Sequence, residues 1–318
     1  MDMVTKLSLA GMIPVIKITD AEDAVPLCRA LKNGGLPVAE ITFRTGAAEE
    51  SIRRVHKELP DVMLGAGTVL TTEQVDRAVA AGAAYIVSPG INPEVVRHCL
   101  KIGVPVVPGC SSASDIEIAL SLGIKTVKFF PAEAVGGLKV IKALSGPYVD
   151  VTFIPTGGVN ENNLLDYLNF PKIIACGGSW MVDQKAIAAK DWAKIEEITS
   201  SAVTRMLGFE LMHIGINSGN PDTAMKDAQA LAKLIGWPVK DGNSSTFTGT
   251  AFEFMKKPFR GTHGHIALGT NYIHRARWYM EQKGFAFDDD SAGYKDGKLI
   301  AIYLKDEIAG FAFHLLQK

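Results

Sequence analysis

The sequence predicts an α/β protein, with a (β/α)8 TIM barrel followed by a smaller α+β domain. Apolar runs rich in β-branched residues recur about every 20 to 26 residues between residues 14 and 177, which is typical of parallel strands buried on both faces. Polar residues cluster at the C-terminal ends of nearly all these runs, which favours a barrel over an open doubly wound sheet. From about residue 208 the pattern changes and then repeats once.

Eight apolar runs predict the eight barrel strands in order. They are PVIKI from Pro14, VAEITF from Val38, VMLGAG from Val62, AYIVS from Ala84, VPVVP from Val104, KTVKFF from Lys125, VTFIP from Val151 and KIIACGG from Lys172. Helices are predicted between them, including 20–33, 72–81, 93–102 and 112–122, and several end at a glycine, as helix C-caps do. A short helix precedes the first strand, and helix 191–206 closes a domain of residues 1–205.

The composition limits the classes of partner. The chain has 318 residues, 47% of them hydrophobic and 21% charged, with a net charge of −1. A nucleic-acid partner is therefore not indicated, and no apolar stretch approaches the length of a membrane span. The N-terminal stretch is not typical of a signal peptide, because Asp2 and Pro14 interrupt it. The four cysteines lie far apart, so we expect buried free thiols in a reducing, cytoplasmic setting.

Lys128 is the candidate nucleophile of the barrel. It lies near the end of the sixth run, beside Phe129 and Phe130, where its ammonium group would be poorly solvated. Desolvation favours the neutral amine, and a neutral amine can attack a ketone to form a Schiff base. The alternative is a lysine whose ammonium group reaches solvent past the phenylalanines. Lys17, at the end of the first run, could instead be the nucleophile or could bind a substrate carboxylate.

Glu40 is the candidate acid/base of the barrel. It lies on the second run, where alternate residues of a barrel strand point inward. A carboxylate at the mouth of a barrel can transfer protons to and from a substrate. The alternative is a structural salt bridge between Glu40 and Arg44, four residues further on.

The seventh and eighth runs end in glycine turns that predict a phosphate site. The turns contain Gly157 and Gly158 after the seventh run, and Gly178 and Ser179 after the eighth. Glycine lets backbone N–H groups approach an anion, and we expect helix N-termini behind the turns to favour the negative charge. The alternative is a pair of tight turns without a ligand.

Six motifs together resemble the 2-keto-3-deoxy-6-phosphogluconate (KDPG) aldolase family in order and spacing, over roughly residues 5–203. They are AEITFRT (39–45), GAGTV (65–69), VSPG (87–90), VKFFPAE (127–133), PTGGVN (155–160) and CGGSW (176–180). The resemblance implies a class I aldolase that needs no metal and is usually a homotrimer. Its substrate would be a phosphorylated keto-deoxy sugar acid, cleaved to pyruvate and glyceraldehyde 3-phosphate. Many members also cleave 4-hydroxy-2-oxoglutarate.

The same resemblance assigns residue roles by motif. Lys128 takes the place of the Schiff-base lysine and Glu40 that of the acid/base. Substrate binding falls on Arg44, Thr68, Pro89, Phe130 and Thr156, to which we add Lys17, and phosphate binding falls on Gly157, Gly158, Gly178 and Ser179. Residues 112–115 depart from the Thr-Pro-Ser-Glu often found in relatives, but no assigned role falls there.

Residues 208–318 contain two similar segments, and their tandem βαβββ pattern resembles the vicinal oxygen chelate superfamily of glyoxalase I and extradiol dioxygenases. Equivalent positions carry His213 and His265, and Glu253 and His314, a set that suits a divalent metal such as Zn, Fe, Ni or Mn. The superfamily usually has a carboxylate at the last position, so His314 is a departure. The domain is expected to be either a second, metal-dependent enzyme or a metal-free module for metabolite binding or assembly.

Overall fold

The computed structural model describes all 318 residues and divides into two compact units, Met1–Val203 and Thr204–Lys318. The first unit has a TIM-barrel-like α/β fold of parallel strands. Its strands are β1 Met12–Ile16, β2 Val38–Thr42, β3 Met63–Gly67, β4 Tyr85–Val87, β5 Val106–Val107, β6 Gly109–Cys110, β7 Thr126–Phe129, β8 Thr152–Pro155 and β9 Cys176–Gly178. They pair in the order β5-β4-β3-β2-β1-β9 and β6-β7-β8. A bridge between Thr156 and Gly177 joins the β8 and β9 paths.

Helices alternate with these strands. They are α1 Met3–Ala10, α2 Ala24–Asn33, α3 Ala48–Glu58, α4 Thr72–Ala81, α5 Pro93–Lys101, α6 Ala113–Ser121, α7 Gly137–Ser145, α8 Leu164–Leu168, α9 Gln184–Ala188 and α10 Trp192–Leu207. Helix α4 shows why the sequence pattern was informative. Thr71 accepts a hydrogen bond from the Gln74 N–H at its start, and Gly82 adopts a φ of 108° at its end. At α6, Ser112 and Asp115 form a capping box, so the unusual residues 112–115 still start a helix.

The barrel strands are buried on both faces, as the continuous apolar runs predicted. All five residues of β2 are buried, and Phe129 and Phe153 pack edge to face with ring centroids 6.4 Å apart. All four cysteines are buried free thiols, as the spacing of the cysteines predicted. None of the helices combines the length and the apolar composition that a membrane-spanning helix needs.

The first predicted strand, PVIKI from Pro14, lies two residues earlier in the structure, at Met12–Ile16. Two further predicted strands differ in extent. The fifth is split into β5 and β6 at Pro108, whose ring nitrogen cannot donate to a neighbouring strand. The eighth begins at Cys176 rather than at Lys172, because Ile173 forms only an isolated bridge with Phe153. Neither change moves the C-terminal end of its strand away from the site.

The second unit is an eight-stranded sheet with two helices. Its elements are β10 Glu210–Asn217, α11 Pro221–Ile235, β11 Val239–Asp241, β12 Ser245–Thr248, β13 Phe252–Met255, β14 Gly264–Thr270, α12 Ile273–Gln282, β15 Phe287–Lys295, β16 Lys298–Leu304 and β17 Phe311–Gln317. The strand order is β11-β12-β13-β10-β14-β17-β16-β15. Each half therefore contains one strand, one helix and three strands, and the halves meet where β10 pairs antiparallel with β14.

Candidate active site

The interior of the barrel holds a buried ion pair. Lys128 on β7 and Glu40 on β2 are only 6% and 3% exposed, and the Lys128 Nζ donates to the Glu40 Oε1 at 3.1 Å. Nζ also lies 5.5 Å from the centre of the Phe130 ring. Lys128 therefore does not reach solvent, and Glu40 is paired with it rather than with Arg44, which donates to Thr42.

This pair can supply both chemical groups that an imine mechanism needs. Transfer of a proton from Nζ to Oε1 along the 3.1 Å contact would leave a neutral amine and a carboxylic acid. The amine can attack a ketone, and the acid can give its proton to the oxygen that leaves as water. Burial excludes bulk water, which would otherwise compete for these protons.

Two glycines of β3 make room for the interior side chains. Gly65 is in register with Glu40 on β2 and with Tyr85 on β4, and Gly67 lies two residues further on. A Cβ at Gly65 would overlap the Tyr85 ring, and a Cβ at Gly67 would overlap the Glu40 carboxylate. The two glycines of the GAGTV motif are therefore required by the packing of the Tyr85 and Glu40 side chains.

A small cavity lies beside the ion pair. Its volume is about 10 Å³, and it is lined by Glu40, Lys128, Tyr85 and Thr156 together with apolar side chains. Tyr85 and Thr156 each have a buried hydroxyl without a hydrogen-bond partner in the protein. Thr156 was predicted from the sequence to bind substrate, whereas Tyr85 was not predicted to belong to the site. Tyr85 carries no signal in the sequence, because its contact with Gly65 depends on the pairing of β3 with β4.

The remaining predicted substrate residues follow strand ends, at the same end of the barrel. Thr68 has a φ of 58° and is half-buried, Pro89 and Phe130 are also half-buried, and Arg44 and Lys17 are exposed. Of the two strand-end lysines, only Lys128 is buried. The desolvated setting expected of an imine-forming lysine is therefore found at Lys128 and not at Lys17.

The predicted phosphate turns are adjacent, but the helices behind them begin further along the chain. Gly157 and Gly158 have φ values of 99° and 84°, and the bridge between Thr156 and Gly177 joins the two turns. A helix follows each turn, as expected, but neither helix begins at the turn itself. Asn160 and Asn163 close the first turn by bonding to the Gly158 carbonyl, and α8 begins only at Leu164.

At the second turn the helix N-terminus is already occupied. Helix α9 begins at Gln184, and the Asp183 carboxylate accepts hydrogen bonds from the N–H groups of Lys185 and Ala186. An anion would therefore rely on the N–H groups of the glycine turns and on the exposed Ser179. Gly178 is constrained by packing, since a Cβ there would overlap the indole ring of Trp180, a neighbour that the sequence analysis missed.

A second polar cluster lies on the sheet of the second unit, where four adjacent strands each contribute one side chain. The ring Nε2 atoms of His213 and His265 are 3.1 Å apart, and the Glu253 Oε2 lies 3.1 Å from the His265 Nε2 and 3.4 Å from the His213 Nε2. The ligand atoms of His213, His265 and His314 all lie within 4.8 Å of one another. The structure thus brings together all four side chains predicted for a metal site.

The surroundings of this cluster favour neutral imidazoles at His213 and His314 and an ionised carboxylate at Glu253. Burial lowers the pKa of His213, and burial followed by the charge of the neighbouring histidines lowers the pKa of His314 to about 3. Burial opposes ionisation of Glu253, but hydrogen bonds from His265 and Ser245 bring its pKa below the usual value. Tyr303 stacks on His314 at 4.4 Å, a contact the sequence analysis did not identify.

Comparison with known proteins gives consistent matches to the first unit. A family model described as KDPG and KHG aldolase matches residues 3–198. The 2-dehydro-3-deoxy-phosphogluconate aldolase of Treponema pallidum is 52% identical over 197 residues, which are 62% of this chain and 94% of that protein. The KHG/KDPG aldolase of Escherichia coli is 39% identical, over 62% of this chain and 92% of that protein.

Solved structures agree with these matches. The crystal structure of a KDPG aldolase from Legionella pneumophila, with pyruvate captured as a covalent carbinolamine intermediate, is 39% identical and has a TM-score of 0.62. It covers 64% of this chain and 98% of its own. A carbinolamine is the adduct that an amine forms with a ketone before loss of water, so the relative's chemistry is of the kind that a buried lysine supports.

Proposed function

The chain belongs to the KDPG and KHG aldolase family, and from this premise we propose that residues 1–205 form a class I aldolase that cleaves KDPG to pyruvate and glyceraldehyde 3-phosphate. The observation that carries the proposal is the buried contact of 3.1 Å between Lys128 and Glu40. The Escherichia coli relative is named for both KHG and KDPG, so 4-hydroxy-2-oxoglutarate is the second substrate to test.

The first stage is formation of the imine. The neutral amine of Lys128 adds to the C2 ketone of the substrate, and Glu40 protonates the oxygen that leaves as water. The product is a protonated imine that draws electrons away from C3. Phe130, 5.5 Å from Nζ, covers this position and keeps it apolar.

The second stage is cleavage of the bond between C3 and C4. Glu40, now ionised, takes the proton of the C4 hydroxyl, and the electron pair of the C3–C4 bond moves into the imine to form an enamine. The aldehyde leaves as glyceraldehyde 3-phosphate. Glu40 then returns a proton to C3, and hydrolysis of the imine releases pyruvate and regenerates the Lys128 amine.

The residues that orient the substrate lie at the mouth of the barrel in this proposal. The carboxylate end of the substrate lies near Arg44, Thr68 and Pro89, with Lys17 as an additional cation and Thr156 beside the keto acid. The phosphate lies on the turns of Gly157, Gly158 and Gly178, with the Ser179 hydroxyl as a further donor. The exposure of Ser179 and the positive φ values of Gly157 and Gly158 support this assignment.

The activity is tested by measuring pyruvate and glyceraldehyde 3-phosphate released from KDPG by the full chain, with and without a chelator. Equal amounts of both products, unaffected by the chelator, are expected because the imine itself accepts the electron pair. Absence of cleavage with KDPG and with 4-hydroxy-2-oxoglutarate would contradict the proposal.

For residues 208–318 we propose a vicinal-oxygen-chelate-like domain that binds one divalent metal through His213, Glu253, His265 and His314. Ligand atoms about 2.0–2.1 Å from a zinc ion lie about 3.3 Å apart in a tetrahedron. The contacts among His213, His265 and Glu253 are 3.1 to 3.4 Å, which fits this spacing. Both ring nitrogens of His314 lack a protein partner, so either is free to coordinate. A bound metal would supply a Lewis acid for a second reaction.

The metal site is tested by elemental analysis of the full chain after chelation and reloading with Zn, Ni, Mn or Fe. About one equivalent of one metal is expected, with loss in His213→Ala and retention in His274→Ala, which removes an exposed histidine outside the cluster. Less than about a tenth of an equivalent of each metal, unchanged by His213→Ala, would favour the metal-free module.

A further inference from the structure

Tyr85 is a buried polar residue of the barrel that the mechanism above does not use. Its side chain is 0% exposed, and its hydroxyl has no hydrogen-bond partner in the protein. It belongs to a row across three neighbouring strands, in which Gly65 is in register with both Tyr85 and Glu40. Gly65 lies on β3, between the strands that carry Glu40 and Tyr85. Because Gly65 has no side chain, the Tyr85 ring can lie over it.

Tyr85 lines the same cavity as the reacting pair. Glu40, Lys128, Tyr85 and Thr156 all line it, and the space accessible to solvent is about that of one water molecule. Buried waters make two to four hydrogen bonds, which these four groups can provide. A buried hydroxyl without a partner is costly, and phenylalanine would fill the same space without that cost.

We propose that Tyr85 is a positioning residue for the aldolase reaction, and the inference rests on the function proposed above. Its hydroxyl donates to one water molecule in the cavity, and this water donates to the Glu40 carboxylate and holds its orientation. Thr156 and Lys128 supply the remaining hydrogen bonds of the water. Burial, followed by the negative charge of Glu40, raises the pKa of Tyr85, so the phenol keeps its proton and remains a donor.

This arrangement would affect proton transfer more than substrate binding. Glu40 exchanges protons with the C4 hydroxyl and with C3, and these steps depend on where its carboxylate points. The substrate enters from the C-terminal ends of the strands, whereas Tyr85 is the first residue of β4 and lies at the opposite end of its strand. Removal of the hydroxyl should therefore lower kcat and leave KM nearly unchanged.

The test compares Tyr85→Phe with wild type and with Tyr148→Phe. Tyr148 is a matched control, because its hydroxyl donates to the carboxylate of Glu117 on a surface helix, away from the barrel interior. We expect kcat for KDPG cleavage to fall about tenfold in Tyr85→Phe, with KM within about twofold of wild type. Tyr148→Phe should match wild type in both constants.

A second readout isolates the proton-transfer step. With pyruvate in heavy water, Lys128 forms the imine, Glu40 removes a C3 proton and a deuteron returns, so the methyl signal disappears from the proton NMR spectrum. The exchange rate should fall by about the same factor as kcat in Tyr85→Phe. Borohydride trapping of pyruvate should still go to completion, because the Schiff-base lysine is intact.

Each outcome bears on a different claim. Wild-type rates of cleavage and exchange in Tyr85→Phe would overturn the role of Tyr85 while leaving the aldolase function intact. A lowered melting temperature with parallel changes in kcat and KM would show a merely structural role and would also overturn it. No cleavage by the wild-type chain would instead refute the proposed function itself.

Discussion

Glu40→Gln is the substitution that separates the proton-transfer role of Glu40 from its structural role. Glutamine has nearly the same shape, and its side-chain oxygen can still accept a hydrogen bond from the Lys128 Nζ, 3.1 Å away in the wild type. It cannot take or give a proton at neutral pH. The imine chemistry of Lys128 should therefore persist slowly, while cleavage is lost.

The expected magnitudes follow from burial of the pair. A general acid–base group contributes about 10² to 10⁴ in rate, or about 2.7 to 5.4 kcal/mol in the barrier. Removing one partner of a buried ion pair costs about 3 to 5 kcal/mol of stability if the other stays charged. Glutamine keeps a hydrogen-bond acceptor beside the Lys128 Nζ, so we expect the stability loss to lie below that range, and the protein to fold.

The assay measures pyruvate release from saturating KDPG, with Glu117→Gln as a control that removes an exposed carboxylate on α6. The control should keep wild-type activity. Melting temperatures establish that both variants are folded. A loss of kcat below about fivefold in folded Glu40→Gln would refute the reasoning and move proton transfer to another group.

Four further outcomes are expected. Lys128→Arg should abolish turnover and borohydride trapping, because arginine keeps its charge and cannot form the imine; residual trapping would point to another lysine. Ser179→Asp should repel the phosphate, and kcat/KM should fall at least about tenfold more for KDPG than for unphosphorylated 4-hydroxy-2-oxoglutarate. The neutral Ser179→Asn should not show this difference between the substrates. Equal losses on both substrates would mean that the phosphate does not bind at this turn. Gly178→Ala should lower the melting temperature and both activities alike, because its Cβ overlaps the Trp180 ring; a stable variant that loses only KDPG cleavage would contradict this. A chelator should remove metal held by the His213 cluster and leave KDPG cleavage unchanged; loss of cleavage would link the metal to the aldolase.

Helices with clear capping residues at both ends could be predicted from the sequence with their exact first and last residues. Helix Thr72–Ala81 has a threonine N-cap and a glycine in the left-handed region at its end. Helix Pro221–Ile235 has an asparagine N-cap, a proline in its first turn and Gly236 with a φ of 75°. These local interactions decide where a helix starts and stops, and they are visible in the sequence.

Strand limits were harder to predict, because they depend on neighbours. Pro108 splits the fifth strand where no donor is available for the ladder. The residues just before Cys176 are as apolar as those of the barrel strands. They nevertheless pair with β8 only through the isolated bridge between Ile173 and Phe153. Apolar composition shows that a segment is buried, but not that an adjacent strand is in register with it.

In the barrel site, the sequence indicated the reacting residues better than the residues and helices that surround them. Lys128 and Glu40 stood out as polar groups on apolar strands, and the structure joins them. Tyr85 was hidden in an apolar strand, since its importance depends on Gly65 of a neighbouring strand. The helices expected behind the glycine turns begin further along the chain, and Asn160 and Asp183 make local hydrogen bonds there that a motif does not reveal.

In the second unit, the internal repeat was sufficient to select four side chains that meet. Their neighbours were not predicted, because they depend on the register of two antiparallel pairs, β12 with β13 and β16 with β17. These pairs bring Ser245 to Glu253 and Tyr303 to His314. Such contacts follow from strand register, which the hydrophobic pattern of these segments does not specify.

The most direct test of the central claim is to identify the residue that forms the imine. The full chain is incubated with pyruvate, reduced with borohydride and digested, and the modified peptide is located by mass spectrometry. We predict one pyruvate-derived modification per chain, on Lys128, whose side chain is buried against Glu40. A modification on Lys17, or no modification at all, would contradict the account.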